Sequence, residues 1–372
     1  MKQKLLISAV LAAFAAPAMA DESNVTVYGL FDLSYDVINT GTGAAAANGV
    51  ANQSGTSSGR VSSNTSKIGF KGNEDLGDGL KAVWQLEQTI YPGASETAKA
   101  GKATLGTRNT FLGLSSASAG TILMGRHDTP YKMSTRSLDV FGDGIADNRN
   151  LMGVGTASFD GRQDQVVAYV SPKLGDAFTL AAGYVNLSNP MPNLSTSAKS
   201  SALSVAGMYD ANGIYAALAY ESHDFTSAAP AVSTNERATR AGLGYKGDAF
   251  SIGAVYESTK DNLGAAFADK NGHKAAYVGA KFKVSDNDTI KLAYAKLGNR
   301  GNVANTGATQ ASLGFDHSFS KRTTIYALYT KLNQNTATNI GLSGEASIGG
   351  ATTSSGFGSA PSAFAVGLKH SF

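Results

Sequence analysis

Residues 362–372, SAFAVGLKHSF, alternate. Phe364, Val366, Leu368, His370 and Phe372 fall on one face of an extended strand, and Ala365, Gly367, Lys369 and Ser371 on the other. A period of two marks a strand whose faces meet different surroundings. The same period recurs from 24–37, 63–73 and 80–91 through to 322–333 and 362–372, predicting about sixteen strands. Helical periodicity is nearly absent. The connections alternate in length. Short ones include NEDLGDG, SASAG, DANG, KGDA and SDND; long ones run over 38–62, 92–106, 130–160, 189–198, 225–235, 260–271, 299–307 and 334–361.

Membrane physics accounts for this layout. Lipid offers no hydrogen bonds, so a sheet that crosses it must close and leave no free edge. A tilted crossing strand needs about 9–11 residues, with tight periplasmic turns at one end and longer outer loops at the other. In LKAVWQLEQTI, Leu80, Ala82, Trp84, Leu86 and Ile90 suit a lipid face, with Gln88 toward its polar edge. Lys81, Val83, Gln85 and Glu87 suit a water-filled lumen. A soluble β-sandwich also alternates, but a sandwich of this length would more often split into domains. A final strand that closes against the first, NVTVYGLFDLSYDV, cannot fray, and its terminal Phe372 suits an interfacial aromatic girdle.

Charge and composition narrow the function. Lys2 and Lys4, the apolar run LLISAVLAAFAA and AMA before Asp21 read as an export signal over residues 1–20, leaving 21–372 as the mature barrel domain. Without those two lysines the formal charge of +3 falls to +1, which gives no basic stripe for nucleic acid. No cysteine is present, so thiolate and disulfide chemistry are excluded. His127, His223, His273, His317 and His370 lack metal-ligand spacing, and no nucleophile elbow or phosphate loop occurs. Neither catalysis nor a cofactor is expected.

Several stretches together resemble the general porins of Gram-negative outer membranes, of the beta-proteobacterial and neisserial type. They are VTVYGLFDLSYDV, SKIGFKGNEDLGDGLKAVWQLE, RNTFLGLSSASAGTILMGRHDTP, VAYVSPKL and the terminal FAVGLKHSF. The resemblance implies a 16-stranded antiparallel barrel, homotrimers and a third long loop folded into the pore. It implies that Phe372 is read by the barrel-assembly machinery. It places the protein in the outer membrane, among lipid and lipopolysaccharide, passing ions and small hydrophilic solutes.

The predicted third loop, about 130–160, carries Asp139, Asp143 and Asp147. By itself it reads as a solvated surface loop; the resemblance makes it the constriction. Strand parity turns Lys67, Lys71, Lys81, Arg162 and Asp164 inward, with Glu87 as a lumen acid. Lys67, Arg108 and Arg162 match positions where related porins place a basic cluster. Lys67 and Lys71 read equally as solvated wall. Arg108 shares parity with Thr110, Leu112 and Leu114, and Arg126 with Ile122 and Met124, so each needs a bulge or a strand end. A basic wall opposite an acidic loop would set a transverse field. The expectation is a passive, weakly anion-selective channel. A solute-specific channel for phosphate or dicarboxylates, and a non-conducting adhesin barrel, remain as alternatives.

Overall fold

The first and last strands of the chain pair with each other. The computed structural model describes residues 24–43, 55–92, 104–155, 158–187, 199–226, 233–263, 268–301, 303–342 and 356–372, so residues 1–20, read from the sequence as an export signal, lie outside the described residues. β1 (Asn24–Asn39) is hydrogen-bonded on one side to β2a (Ser57–Ser63) and β2b (Lys67–Gly77). From there the order is sequential: β3 (Leu80–Thr89), β4 (Thr110–Ser116), β5 (Gly120–Asp128), β6 (Arg162–Val170), β7 (Phe178–Asn186), β8 (Lys199–Ala211), β9 (Ile214–Thr226) and β10 (Ser233–Lys246). It continues through β11 (Phe250–Asp261), β12 (Lys274–Lys283), β13 (Asp288–Leu297), β14 (Ala308–Ser318), β15 (Thr323–Gln334) and β16 (Ser362–Ser371), which returns to β1. Every pairing is antiparallel, and the result is a closed barrel of sixteen strands.

The second strand is interrupted. The sequence reading placed 38–62 in a loop, yet Ser57–Ser63 continue the ladder opposite Leu33–Asn39. Thr65 takes a positive φ at the break, and side chains replace ladder bonds there. Asp32 donates its N–H to Ser66 Oγ at 3.0 Å, and Asn64 Nδ2 donates to Ser34 Oγ at 2.9 Å and to the Tyr326 hydroxyl at 2.8 Å. Ser, Asn and Thr suit such a break because their short side chains reach local backbone. The same polarity made the segment read as a loop.

The two faces differ as the alternation requires. Outward positions hold Val25, Phe31, Tyr35, Leu112, Met124, Phe178, Leu218, Leu243, Leu313 and Phe364, all exposed. A soluble protein rarely presents such a belt, whereas lipid solvates it. Inward neighbours such as Asp32, Ser34, Asp36, Ala363 and Ala365 are buried inside the barrel. The turns follow local chemistry: Asn212 and Gly213 both have positive φ, as a two-residue hairpin turn that keeps strand twist requires.

The seam explains the terminal aromatic. Gly29 donates to the Phe372 carbonyl at 2.9 Å, and Phe372 donates back to Gly29 at 3.1 Å. The Phe372 ring lies over Gly29, where a Cβ would overlap it, and meets Phe31 at 6.0 Å between centroids. An aromatic ring thus covers backbone that glycine leaves bare.

This pairing predicts coupling. Gly29→Ala and Phe372→Ala should each lower the thermal midpoint of the folded barrel. The double variant should be less damaged than the sum, by about 1 kcal/mol, since the methyl group added at position 29 has no ring to displace once Phe372 is gone. Heat-modifiable gel mobility of the four forms measures the cycle, and strict additivity would contradict the contact.

Candidate functional site

Loop 3, between β5 and β6, folds into the barrel and divides its interior. Its first turn is a short helix, α1 (Pro130–Thr135), capped by Thr129 and opened by a proline at its first position. Single-turn 3₁₀ helices follow at Arg136–Leu138 and Asn148–Asn150. Leu138, Val140, Phe141, Ile145, Leu151 and Met152 are buried against inward residues of the wall, among them Val255, Tyr277, Leu297 and Leu328. Glycines clear the way for them. A Cβ at Gly242 or Gly244 would strike Leu138, one at Gly253 would press close against it, and one at Gly314 would strike Phe141.

Charge fastens the loop to the wall. Arg240 on β10 holds Asp160 of the loop through two hydrogen bonds of 2.7 and 2.8 Å, binds Glu257 of β11, and lies 4.3 Å from the Tyr131 ring centre. Glu257 accepts from the Tyr131 hydroxyl at 2.8 Å and from the Gly153 N–H at 2.9 Å. Arg240, Asp160, Glu257 and Tyr131 are all buried. Phe159 stacks on His223 at 4.4 Å, and His223 sits between Glu221 at 2.8 Å and Glu236 at 2.7 Å. A buried charge persists only where it is paired, so these pairs define one docked position for the loop.

The wall facing the loop's open side carries the expected basic residues. Glu87 of β3 accepts from Arg108 Nε at 2.5 Å, from Lys67 Nζ at 3.2 Å and from the Tyr28 hydroxyl at 3.0 Å. Arg108 precedes β4 in irregular backbone, and this frees it from the parity of Thr110, Leu112 and Leu114. Lys71 lies 5.4 Å from the Tyr28 ring centre. Lys81 stands across from Asp75 at the turn end of β3, six residues or about 20 Å along the strand from Glu87. Arg162 binds Asp128 at 3.2 Å and Asn109 at 2.6 Å, and Lys132 of α1 binds Asp128 at 2.8 Å. Arg126 adjoins a bulge between Gly125 and His127 and pairs with Asp164 at 2.5 Å.

The loop acids are differently placed from the expectation. Asp139 and Asp147 are buried, and only Asp143 is substantially exposed. Arg136 reaches all three, at 3.4 Å to Asp139 and 2.7 Å to both Asp143 and Asp147. Arg149 binds Asp143 at 2.9 Å and Asp147 at 2.7 Å. The carboxylates therefore face loop arginines rather than the basic wall, and the loop is no bare acidic surface. Burial, and then the charge on Asp147, push Asp139 up to about 6. Although burial opposes it, Arg136 and Arg149 hold Asp147 well below the usual carboxylate range.

A second basic group lies turnward of the loop tip. A cavity of about 410 Å³ is lined by Lys281, Lys291, Lys369, Asp32 and Asp316 below Phe141–Gly144. Lys281 and Lys291 are direct cross-strand partners. Lys291 binds Asp316 at 2.7 Å and lies 5.1 Å from the Phe141 ring centre; Lys369 is 4.0 Å from Asp32. Sequence reasoning passed over Lys281 and Lys291. Tyr277, Gly279 and Lys281 share one parity in YVGAK, and that signal would have found Lys281.

Residues 8–337 match the Gram-negative porin family. An outer membrane porin protein of Bordetella pertussis is 36% identical over 189 residues, 50% of this chain and 48% of its own, so the chain spans about half of that relative. Outer membrane porin protein 32 of Delftia acidovorans is 26% identical over 379 residues, covering all of both chains. Among solved structures, an anion-selective porin from Comamonas acidovorans superposes with a TM-score of 0.73 at 24% identity, over 94% of this chain and all of that one. A trimer form of the Vibrio cholerae outer membrane protein OmpT gives 0.64 at 16% identity, over 95% and 100%.

Two outcomes follow from the loop's charges. Arg240→Ala leaves Asp160 and Glu257 buried with their shared cation gone, and should cost about 3–5 kcal/mol of loop attachment. Limited proteolysis within 130–160 and added current noise would report it; an undisturbed loop would contradict the fastening role. Asp139 has a raised folded-state pKa, so its linked stability is present below the ordinary value near 4 and is lost as pH rises through about 6. Acidification from about pH 7.5 to about pH 5 should remove one loop charge and raise chloride preference, and Asp139→Asn should flatten that step.

Proposed function

The chain belongs to the Gram-negative porin family, and we propose that this outer-membrane diffusion channel passes ions and small hydrophilic solutes with a weak bias toward anions. The family acts by passive permeation, not catalysis. The bias rests on one observation: at the wall stations that border the water path, the carboxylates are outnumbered by the cations around them. Glu87 is shared by Lys67 and Arg108, and Asp128 by Lys132 and Arg162. Asp32 and Asp316 face Lys281, Lys291 and Lys369. The three loop acids are drawn onto Arg136 and Arg149. Excess fixed positive charge around a narrow water path favours anions. The anion-selective character of the Comamonas acidovorans porin supports this direction.

In this reading Lys67, Lys71, Arg108 and Arg162 form the upper basic wall, and Lys281, Lys291 and Lys369 a second station turnward of it. Lys81 tunes the turn-side mouth. The same reading has residues 1–20 removed on export, residues 21–372 inserted as one barrel, Phe372 recognised by the assembly machinery, and three copies associating. The OmpT trimer form supports the last of these.

Planar-bilayer recording under a KCl gradient tests the bias. The wild-type channel should conduct, with a reversal potential on the chloride side. The triple charge reversal Lys281→Glu, Lys291→Glu, Lys369→Glu should move it to the potassium side while conductance persists. A folded protein that does not conduct would overturn the channel reading. Conductance that saturates with phosphate or a dicarboxylate would identify a solute-specific channel instead.

A further inference from the structure

Behind loop 3, the wall keeps a set of ionisable side chains away from water. Glu221 and His223 lie on β9, Glu236 and Arg240 on β10, Glu257 on β11, and His273 just ahead of β12. Loop 3 adds Tyr131 and Asp160. All eight are buried, Glu221, His223 and Glu257 completely so. Four carboxylates thus stand against one guanidinium. A dry interior does not carry such an excess of charge, so bound protons must offset it.

His223 shows where one of them sits. Its Nε2 lies 2.8 Å from Glu221 and its Nδ1 2.7 Å from Glu236. A carboxylate only accepts, so each ring nitrogen must donate; a neutral ring would aim a lone pair at an anion. The second oxygen of Glu221 is buried with no hydrogen-bond partner, so Glu221 depends on His223 alone. The other titratable groups here serve Glu257 and Asp160. Arg240 binds both, the Tyr131 hydroxyl donates to Glu257, and His273 lies 3.5 Å from it. From β8, the residues paired with this stretch of β9 are Ser200, Ala202 and Ser204, none of which titrates. Phe159, in the outgoing stem of loop 3, lies flat on the imidazole at 4.4 Å and 17°, and Phe225 meets it edge-on at 6.4 Å. The ring therefore holds the wall through its nitrogens and the loop through its face.

We propose that Glu221, His223 and Glu236 form a proton-operated latch on loop 3. The imidazolium holds the stem at Phe159 and Asp160 against β9 and β10, and loss of its proton frees that stem into the lumen. Without the proton, one buried glutamate loses its donor while still charged, which is strongly destabilising. Hydrating that glutamate requires Phe159 to lift from the ring. Docking therefore takes up a proton that the freed stem does not need. Linkage sets the direction: the docked stem is favoured at low pH and weakens as pH rises. A freed stem moves in the water path and makes the current unsteady. The inference rests on the docked loop, and not on the sign of ion selectivity.

The chain has no cysteine, so Ser158→Cys, at an exposed stem position, takes a nitroxide label at a single site. The labelled full-length barrel is reconstituted in lipid and scanned by electron paramagnetic resonance from about pH 6 to about pH 11, the span between ordinary histidine and lysine. The label should gain mobility in one reversible step, with open-channel current noise rising over the same range in planar bilayers. Glu221→Gln keeps the side chain's shape but removes one of the two carboxylates that hold the proton. Its step should fall about one to two pH units lower, the equivalent of one hydrogen bond to a charged group. His223→Gln should abolish the step. A label that stays immobile until the whole barrel unfolds would overturn the latch. So would a step at the same pH in Glu221→Gln, a variant that decides the matter even where His223→Gln does not fold. A step that persists in His223→Gln would assign it to other groups, Asp139 among them, and would overturn the proposal equally.

Discussion

Every backbone polar group of a membrane-crossing sheet must find its partner inside the protein. The rest of the molecule depends on that constraint. It obliges β16 to return to β1 and makes the last residue a ladder residue. It lets the broken second strand persist only because Asn64 and Ser66 take over the missing bonds. Once the ring is closed, lipid fixes one set of alternating positions and leaves the other set free to fill an interior. Loop 3 occupies much of that interior, so most of the barrel's packed core is formed by the loop on the wall rather than by one strand face on another.

The loop's position is set by charges that have nowhere else to go. Arg240, Glu257 and Asp160 are each costly to bury alone and acceptable together. Their geometry admits one arrangement of the chain between them. Inward glycines then admit the loop's apolar residues to van der Waals distance of the wall. Shape and charge therefore specify the same docked state, and the lumen cations work against a fixed partner instead of a waving segment.

The strand count, the alternation of turn and loop lengths, and the inward setting of Lys67 and Lys71 were legible because a period of two survives in any sequence with two unlike faces. Arg108 was legible only as a conflict of parity, resolved by irregular backbone that no periodicity encodes. The extension at Ser57–Ser63 was hidden because its residues favour turns as readily as an interrupted ladder. The acids of loop 3 were visible as residue types. Their capture by Arg136 and Arg149 was not, since pairing inside an irregular loop depends on a path set by contacts with distant strands. The buried set of His223, Glu221 and Glu236 left one trace: charged residues at alternate positions deep within a strand.

Because loop 3 lies along the inside of β8–β16, the solute path is bordered by an arc of wall and not by a full ring. Two inward residues of identical type and depth therefore answer to different selective pressures. On the arc from β1 to β6, and turnward of the loop at Lys281, Lys291 and Lys369, an inward substitution alters what passes; behind the loop, the same substitution alters whether the loop can dock. A barrel built this way can accordingly change its permeability by substitution along one arc while packing against the loop holds the opposite one.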